Sequence, residues 1–236
     1  REIYAGIGKT VRSVEAKSVR KGEKQVIAVY SPWNHRLRTP FALTAAEQLS
    51  AGKKVLYLNF SICNGFCKSM GLEPDVDMGD LFYLLREDEE ALLAKLKSGI
   101  YPLGSYQIIP PPSNPEHYME WRKGEVRHFL EILLEKTDFE VLVLDMGCVM
   151  NGFFEVLDLC GRIWILKEHR TSKDSGIEEL RELLEKFKAG LEERVEEVFL
   201  PGGQAWREDG TIQVEEFYMG EVGNCVRRLL GGEYAS

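Results

Sequence analysis

The sequence lacks the features that would place the chain in a membrane or in an oxidising compartment. No run of apolar residues approaches the ~20 that a helix needs to span a bilayer, and no signal-peptide pattern is recognisable. The five cysteines, at positions 63, 67, 148, 160 and 225, are odd in number and scattered. This distribution is typical of reduced thiols in the cytosol. We therefore expect a cytoplasmic protein without disulfides.

Patterns that would indicate a metal site, a nucleic-acid partner or a catalytic triad are also missing. Cys63 and Cys67 have no second cysteine pair and no histidine at ligand spacing, so no metal site is expected. The formal net charge is -8, which disfavours binding to nucleic acid or to anionic lipid. No Ser-His-Asp or Cys-His arrangement can be defended from spacing, so no catalytic residue is assigned.

What the sequence does contain is a regular alternation of apolar β-branched runs with amphipathic segments. Strands are predicted at 26–30, 55–59, 106–110, 139–145, 162–167 and 195–200. Helices are predicted at 39–49, 81–85, 89–96, 123–136, 152–160, 172–189 and 222–230, with a short helix or ordered loop at 63–71. The alternation predicts an α/β fold, a doubly wound and mainly parallel β-sheet flanked by helices. We expect residues 25–236 to form this single domain, and residues 1–24 to be a linker or lead-in segment.

The connection between the first strand and the first helix has the geometry of an anion-binding site. Thr39 is predicted to be the N-cap of the helix and Pro40 its first residue. A strand, a loop and a helix N-terminus in this order direct backbone N–H groups and the helix dipole at an anion.

The chemistry of this loop departs from that of a phosphate-binding loop. In the pattern G-x-x-x-x-G-K-[ST], the two glycine positions hold Pro32 and Leu37, the lysine position holds Arg38, and only Thr39 agrees. Proline lacks an N–H donor, leucine disfavours positive φ, and a planar guanidinium does not replace a compact ammonium. The strand, loop and helix of such a site are predicted, but the glycines and the lysine that would bind the phosphates of a nucleotide are not there.

The order and spacing of these segments resemble the deviant-Walker (MinD/ParA-type) P-loop ATPases, and within them the TadZ/CpaE-like pilus assembly proteins. The resemblance covers about residues 25–230. It is carried by the strand–loop–helix at 26–49, by 52–59, 78–85, 109–115 and 139–147, and by 161–166. It implies a P-loop NTPase-like fold of the SIMIBI/MinD type.

The same resemblance shows where the nucleotide motifs are degenerate. The family loop K-G-G-x-G-K-T carries one lysine that reaches the partner subunit's phosphates and a second that grips the nucleotide of its own subunit. Those lysine positions hold Trp33 and Arg38, and the D-x-D acids of the following strand correspond to Asn59 and Ser61. By position, the resemblance assigns the remnant of the nucleotide site to a set of six residues: Asn34, His35, Arg38, Thr39, Asn59 and Asp145.

Several side chains keep two interpretations at this point. Asp145 either bridges a metal or caps the following turn. Arg38 and His35 are candidates for binding an anion at the helix N-terminus. Trp33 either fills the space of the nucleotide or anchors a protein partner. The aromatic and basic segment 115–122 is a partner contact, a pocket lid or plain packing.

The resulting hypothesis is a pseudo-ATPase that acts as a scaffold or localisation factor. The resemblance implies a bacterial pilus or secretion system as its setting, with protein partners, possible homodimerisation, and recruitment to the membrane or cell pole through those partners. No cofactor is expected under this hypothesis. The alternative is a switch that binds ATP and Mg²⁺ weakly through the substituted loop, with residual ATPase activity.

Overall fold

The computed structural model describes residues 24–62, 65–168, 175–200, 207 and 211–231. The lead-in segment predicted at 1–24 lies outside these residues except for Lys24, as do the first residues of the helix predicted at 172–189.

Seven strands form one sheet within the described part of the chain, in the spatial order β3-β4-β2-β5-β1-β6-β7. The strands are β1 (Gln25–Tyr30), β2 (Val55–Phe60), β3 (Tyr101–Leu103), β4 (Tyr106–Ile109), β5 (Val141–Met146), β6 (Arg162–Lys167) and β7 (Val195–Phe199). All neighbouring pairs are parallel except β3 and β4. The prediction of a mainly parallel, doubly wound sheet is confirmed.

Helices cover both faces of this sheet. They are α1 (Arg38–Ser50), α2 (Phe66–Ser69), α3 (Met78–Glu87), α4 (Glu89–Gly99), α5 (His117–Glu120), α6 (Glu125–Lys136), α7 (Phe153–Leu159), α8 (Ser175–Phe187), α9 (Val214–Met219) and α10 (Glu221–Leu229). No described helix is both long enough and apolar enough to cross a bilayer.

Alternate residues of each central strand belong to two different hydrophobic cores. In β1, Val26 and Ala28 pack with residues of α3, α4, α6, α7 and α8, whereas Ile27 and Val29 pack with residues of α1 and α10. Both sets are essentially inaccessible to water. Burial on both faces explains why the strands are continuous apolar runs and not alternating ones.

The edge strand β3 was missed because it is short and contains Pro102. Proline has no N–H for a sheet hydrogen bond and is therefore tolerated at an edge. Gly104, with φ +61°, allows the tight turn that joins β3 to β4. The short helices α5 and α9 were also missed.

The start of α1 corrects the predicted cap. The N-cap is Leu37 and makes no side-chain cap bond, so the prediction that Thr39 caps the helix is wrong. The helix begins earlier because the Phe41 N–H donates to the Leu37 carbonyl over 2.8 Å. Pro40 is consequently the third residue of the helix, where its missing N–H is still tolerated because the first four N–H groups have no intrahelical partner.

The packing of α1 on the sheet gives the first testable prediction. Phe41 is fully buried and lies edge-on to Trp164, with ring centroids 5.7 Å apart. Phe41→Ala should lower the free energy of unfolding by about 3–5 kcal/mol, because it leaves a cavity in the core. Tyr83→Ala, at a side chain that is 64% exposed on α3, should change it by under about 1 kcal/mol. Urea unfolding measures both, and equal losses would contradict this packing.

Candidate functional site

The candidate site lies where the adjacent strands β2, β5 and β1 end. Asp145 is level with Asn59 of β2 on one side and with Val29 of β1 on the other. Because the strands are parallel, their carboxyl ends meet at one edge of the sheet, together with the loop that precedes α1. Ligands of open α/β sheets bind at this edge.

Asp145 is the centre of a buried hydrogen-bond network. Its carboxylate is fully buried and accepts a bond from Arg38 Nε over 2.5 Å. Its second oxygen accepts bonds from Thr39 Oγ1 at 2.7 Å and Tyr57 OH at 2.9 Å. The Asn59 amide donates to the same oxygen at 3.3 Å and to Tyr57 OH at 2.9 Å. The carboxylate is thus occupied by side chains of the chain itself.

Arg38 connects three segments through one guanidinium group. Besides the ion pair with Asp145, its Nη1 donates to Asn34 Oδ1 over 2.5 Å and its Nη2 donates to Ser61 Oγ over 2.8 Å. Burial opposes the charge of Arg38, but the Asp145 carboxylate outweighs it, so the pKa of Arg38 is raised above its ordinary value. The guanidinium therefore ties the loop after β1 to the ends of β2 and β5.

Gly147 makes room for this arrangement. A Cβ atom at position 147 would lie 1.9 Å from Ser61 Oγ and 2.6 Å from Arg38 Nη2. Any larger residue would separate the guanidinium from Ser61. The close approach of the β5 end therefore requires glycine.

Tyr57 belongs to the network although sequence reasoning did not select it. Burial first, and then the neighbouring Asp145 carboxylate, hold the pKa of the Tyr57 phenol well above its ordinary value. Tyr57 and Asn59 are two residues apart on a strand, so their side chains point to the same face. That spacing was the available signal.

His35 is placed apart from the other five predicted site residues. It is buried, its Nδ1 accepts the Leu37 N–H at 3.1 Å, and its Nε2 donates to the Leu200 carbonyl at 3.0 Å. The backbone N–H must be the donor to Nδ1, so the ring proton sits on Nε2. Both ring nitrogens are engaged, and His35 holds the loop in place instead of facing the network.

Backbone N–H groups of the loop are also engaged within the loop. The Asn34 and His35 N–H groups donate to the Ser31 carbonyl and hydroxyl, each at 3.1 Å. The Leu37 N–H donates to His35 as above, and the Arg38 N–H donates to the His35 carbonyl at 2.9 Å. Asn34 adopts φ +52°, a left-handed conformation that asparagine tolerates. These four amides are turned inward and not toward a ligand.

The network answers part of what the sequence left open for Asp145. In place of capping the following turn, its carboxylate is the partner of Arg38 and of three neutral donors. No group of three or more His, Cys, Asp or Glu residues in the described part of the chain has the geometry of a metal site.

The aromatic residues near the site have different environments. Trp33 remains 51% exposed, and its ring lies against Gly176 of α8, so the ring does not fill a closed space. In the segment 115–122, Trp121 is buried and stacks on Phe82 with ring centroids 4.1 Å apart. His117 and Trp121 line a cavity of about 440 Å³ beside α3.

Comparisons with known proteins place this architecture. No protein-family model and no curated protein sequence matches the chain. A ParA family ATPase from Chlorobium tepidum TLS superposes with a TM-score of 0.59 at 17% identity, covering 86% of this chain and 81% of that chain. A cobyrinic acid a,c-diamide synthase from Mycobacterium smegmatis, solved with an ATP analog and magnesium bound, gives 0.58 at 14% identity, covering 89% of this chain and 98% of that chain.

A third structure is the MinC:MinD cell division protein complex of Aquifex aeolicus, with a TM-score of 0.53 at 16% identity, covering 74% of this chain and 68% of that chain. The chain has the fold of the ParA/MinD-type P-loop ATPases. At these identities the likeness shows the fold alone. Within the ParA/MinD fold, the loop between β1 and α1 is the segment in which a P-loop would hold phosphates.

The Arg38–Asp145 pair gives the second prediction. Arg38→Met should lower the free energy of unfolding by about 3 kcal/mol, because it leaves a buried carboxylate without its cation. Arg38→Met combined with Asp145→Asn should lose less than the single variant. The matched control is Lys54→Met, which removes the cation of the exposed Lys54–Asp138 pair and should change stability far less. Urea unfolding at pH 7 measures all three, and a loss at Arg38 no larger than at Lys54 would contradict a buried pair.

The raised pKa of Tyr57 gives the third prediction. The unfolded chain releases this proton near pH 10, whereas the folded chain keeps it to higher pH. The stabilisation is therefore complete below about pH 10 and falls above it, by about 1.4 kcal/mol per pH unit. Tyr57→Phe should be less stable at pH 8 but lose stability less steeply above pH 10. Burial also raises the pKa of Tyr106 and of Tyr118. Because the intact chain and the Tyr57→Phe variant share these two tyrosines, their contributions cancel in the comparison. Parallel unfolding curves against pH would contradict the assignment.

Proposed function

We propose that this chain is a pseudo-ATPase with the ParA/MinD fold, which acts as a scaffold or localisation factor. The observation that carries the proposal is the occupation of Arg38. In a P-loop the lysine at this position reaches the terminal phosphates of the nucleotide. Here the guanidinium is bound by Asp145, Asn34 and Ser61, and is almost fully buried.

The inward-turned amides support the same conclusion. A phosphate-binding loop needs free N–H donors around the phosphates, and glycines that let the backbone approach them. In this loop, the N–H groups of Asn34, His35, Leu37 and Arg38 are already bonded within the loop. Binding of ATP would therefore require the loop to break its own hydrogen bonds first.

The lost catalytic chemistry also supports the proposal. Phosphoryl transfer depends on positioning and on the stabilisation of charge by metal and lysine, and the loss of one such group often reduces the rate by about 10²–10³. Asn59 and Ser61 stand where the family motif has acids, and Asp145 is bound to Arg38. We infer that hydrolysis of ATP is not the function of this chain.

The setting we propose is the assembly of a bacterial pilus or secretion system, as the TadZ/CpaE resemblance implies. In this role the fold recruits protein partners, and through them the chain is localised. The MinC:MinD complex supports the general idea, since a protein with this fold there assembles with a protein partner. Genes for pilus assembly next to the gene of this chain would support the setting, and their absence would weaken it.

Titration with ATP and Mg²⁺ is the test of the proposed function and the fourth prediction. We expect calorimetry to detect no saturable binding by the intact chain at micromolar concentrations, because Arg38 and the loop amides are occupied. A low-micromolar affinity that is lost in Arg38→Ala would instead support the second candidate, an ATP-binding switch with a substituted loop. Thr39 and Asp145, which agree with the ATPase motifs, would then hold the magnesium.

The titration of Arg38→Ala is informative only if the variant is folded, and circular dichroism checks this. Arg38→Ala is compared only at a urea concentration and temperature at which its circular dichroism matches that of the intact chain. Low-micromolar binding by the intact chain would overturn the proposal whatever the variant does.

A further inference from the structure

We propose that the loops following β1, β2 and β5 form a docking surface for an acidic, apolar segment of a partner protein. We call residues 31–37, 61–62 and 147–152 the loop platform. The inference deepens the proposed function and rests on it, because a bound nucleotide would compete for the same loops.

Three exposed apolar side chains lie on the loop platform, one on each loop. Trp33 is 51% exposed, Ile62 is 42% exposed and Val149 is 67% exposed. They follow β1, β2 and β5, which are neighbours in the sheet, so the three loops emerge within about 10 Å of one another. Exposed apolar groups concentrated at one place mark interaction sites more often than scattered ones do.

The buried network beneath these side chains holds the three loops together. Arg38 bonds to Asn34, next to Trp33, and to Ser61, next to Ile62. The Cys148 thiol, next to Val149, donates to the Phe60 carbonyl over 3.3 Å at the end of β2. The apolar groups are therefore presented on connected loops, and little ordering is required of them when a partner binds.

The charge of the loop platform indicates the chemistry of the partner. The three loops contain no Asp or Glu, in a chain that has 38 of them. Arg36 is exposed, and no described residue pairs with its guanidinium. Because Arg38 and Asp145 neutralise each other, Arg36 is the exposed charge among the residues that define the loop platform. An occupant with carboxylates beside apolar side chains matches this surface.

A second copy of the chain matches it less well. A two-fold interface must be self-complementary, and two loop platforms facing each other would bring Arg36 near its own copy without an acid on the three loops to meet it. Acids such as Glu116 and Glu168 lie on the loops of the flanking strands β4 and β6, outside the loop platform.

The experiment is selection of peptides from a displayed library against the intact chain, with apolar, acidic, basic and neutral residues all allowed at the varied positions. We expect the selected peptides to combine Asp or Glu with Leu, Phe or Trp. The consensus peptide is then synthesised and titrated by calorimetry. Trp33→Ser should weaken its binding about tenfold or more, because aromatic anchors dominate such interfaces.

A charge swap makes the test specific. Arg36→Glu should weaken binding of the consensus peptide and strengthen binding of the same peptide with its acids replaced by lysine. Met219→Ser is the matched control, since Met219 is 77% exposed on α9 and is not part of the loop platform, and it should leave binding unchanged. If Trp33→Ser does not fold by circular dichroism, Val149→Ser provides the same test.

Four outcomes would overturn the inference. The first is that no peptide is enriched, and the second is a consensus rich in Lys and Arg. The third is that Trp33→Ser and Arg36→Glu bind the consensus peptide as tightly as the intact chain does. The fourth is a concentration-dependent dimer in sedimentation that Trp33→Ser abolishes. The last would make a second copy the occupant. These failures are distinct from that of the proposed function, which is decided by the separate ATP titration.

Discussion

The structure depends on one interaction, the buried ion pair between Arg38 and Asp145. Transfer of two charges from water into the interior costs several kcal/mol per ion, and the pair is favourable only when further hydrogen bonds complete it. Here those bonds come from Thr39, Tyr57 and Asn59 on the carboxylate side. A pair of apolar side chains would stabilise the sheet about equally well. What they would not provide is a directional connection between three loops.

This connection changes how the site responds to ligands. A ligand shifts a conformational equilibrium only by the difference between its affinities for the two states. In a nucleotide switch that difference comes from loops that phosphate and magnesium order. In this chain the loop after β1 is held by hydrogen bonds of Ser31, His35 and Arg38 within the protein itself. A nucleotide would have to break these hydrogen bonds, which opposes its binding. Because the loop is already held, the nucleotide would also gain little by ordering it.

The fold was more predictable from the sequence than the site was. Apolar runs buried on both faces identify parallel strands without knowledge of their neighbours, and the alternation with helices then gives the sheet. The strand β3 escaped because three residues with a proline carry no periodicity. The predicted Thr39 cap was wrong for a tertiary reason. The hydroxyl that would cap the helix bonds to Asp145, which is more than one hundred positions away in the sequence.

Among the site residues, too, some features are encoded locally in the sequence and others depend on tertiary contacts. Asp145 and Asn59 were identified from the family resemblance and from their places at the ends of predicted strands, and each lies one residue before the end of its strand in the structure. Their contact depends on the register of β2 against β5, which places these two residues side by side. No local pattern encodes that register, so the contact between Asn59 and Asp145 could not be predicted. The role of Tyr57 depends on the same register.

A closed site and an exposed surface above it are two consequences of one arrangement. If the loops after β1, β2 and β5 were held by a ligand, the side chains on them would be ordered only while that ligand was bound. Arg38 connects the segments that carry Trp33, Ile62 and Val149 from inside the protein, through its bonds to Asn34, Ser61 and Asp145. Preorganised groups lose less entropy on binding than mobile ones do. Under the proposed function, the residues that stand in place of the P-loop glycines and lysine are thus the same ones that would suit the edge of the sheet to docking.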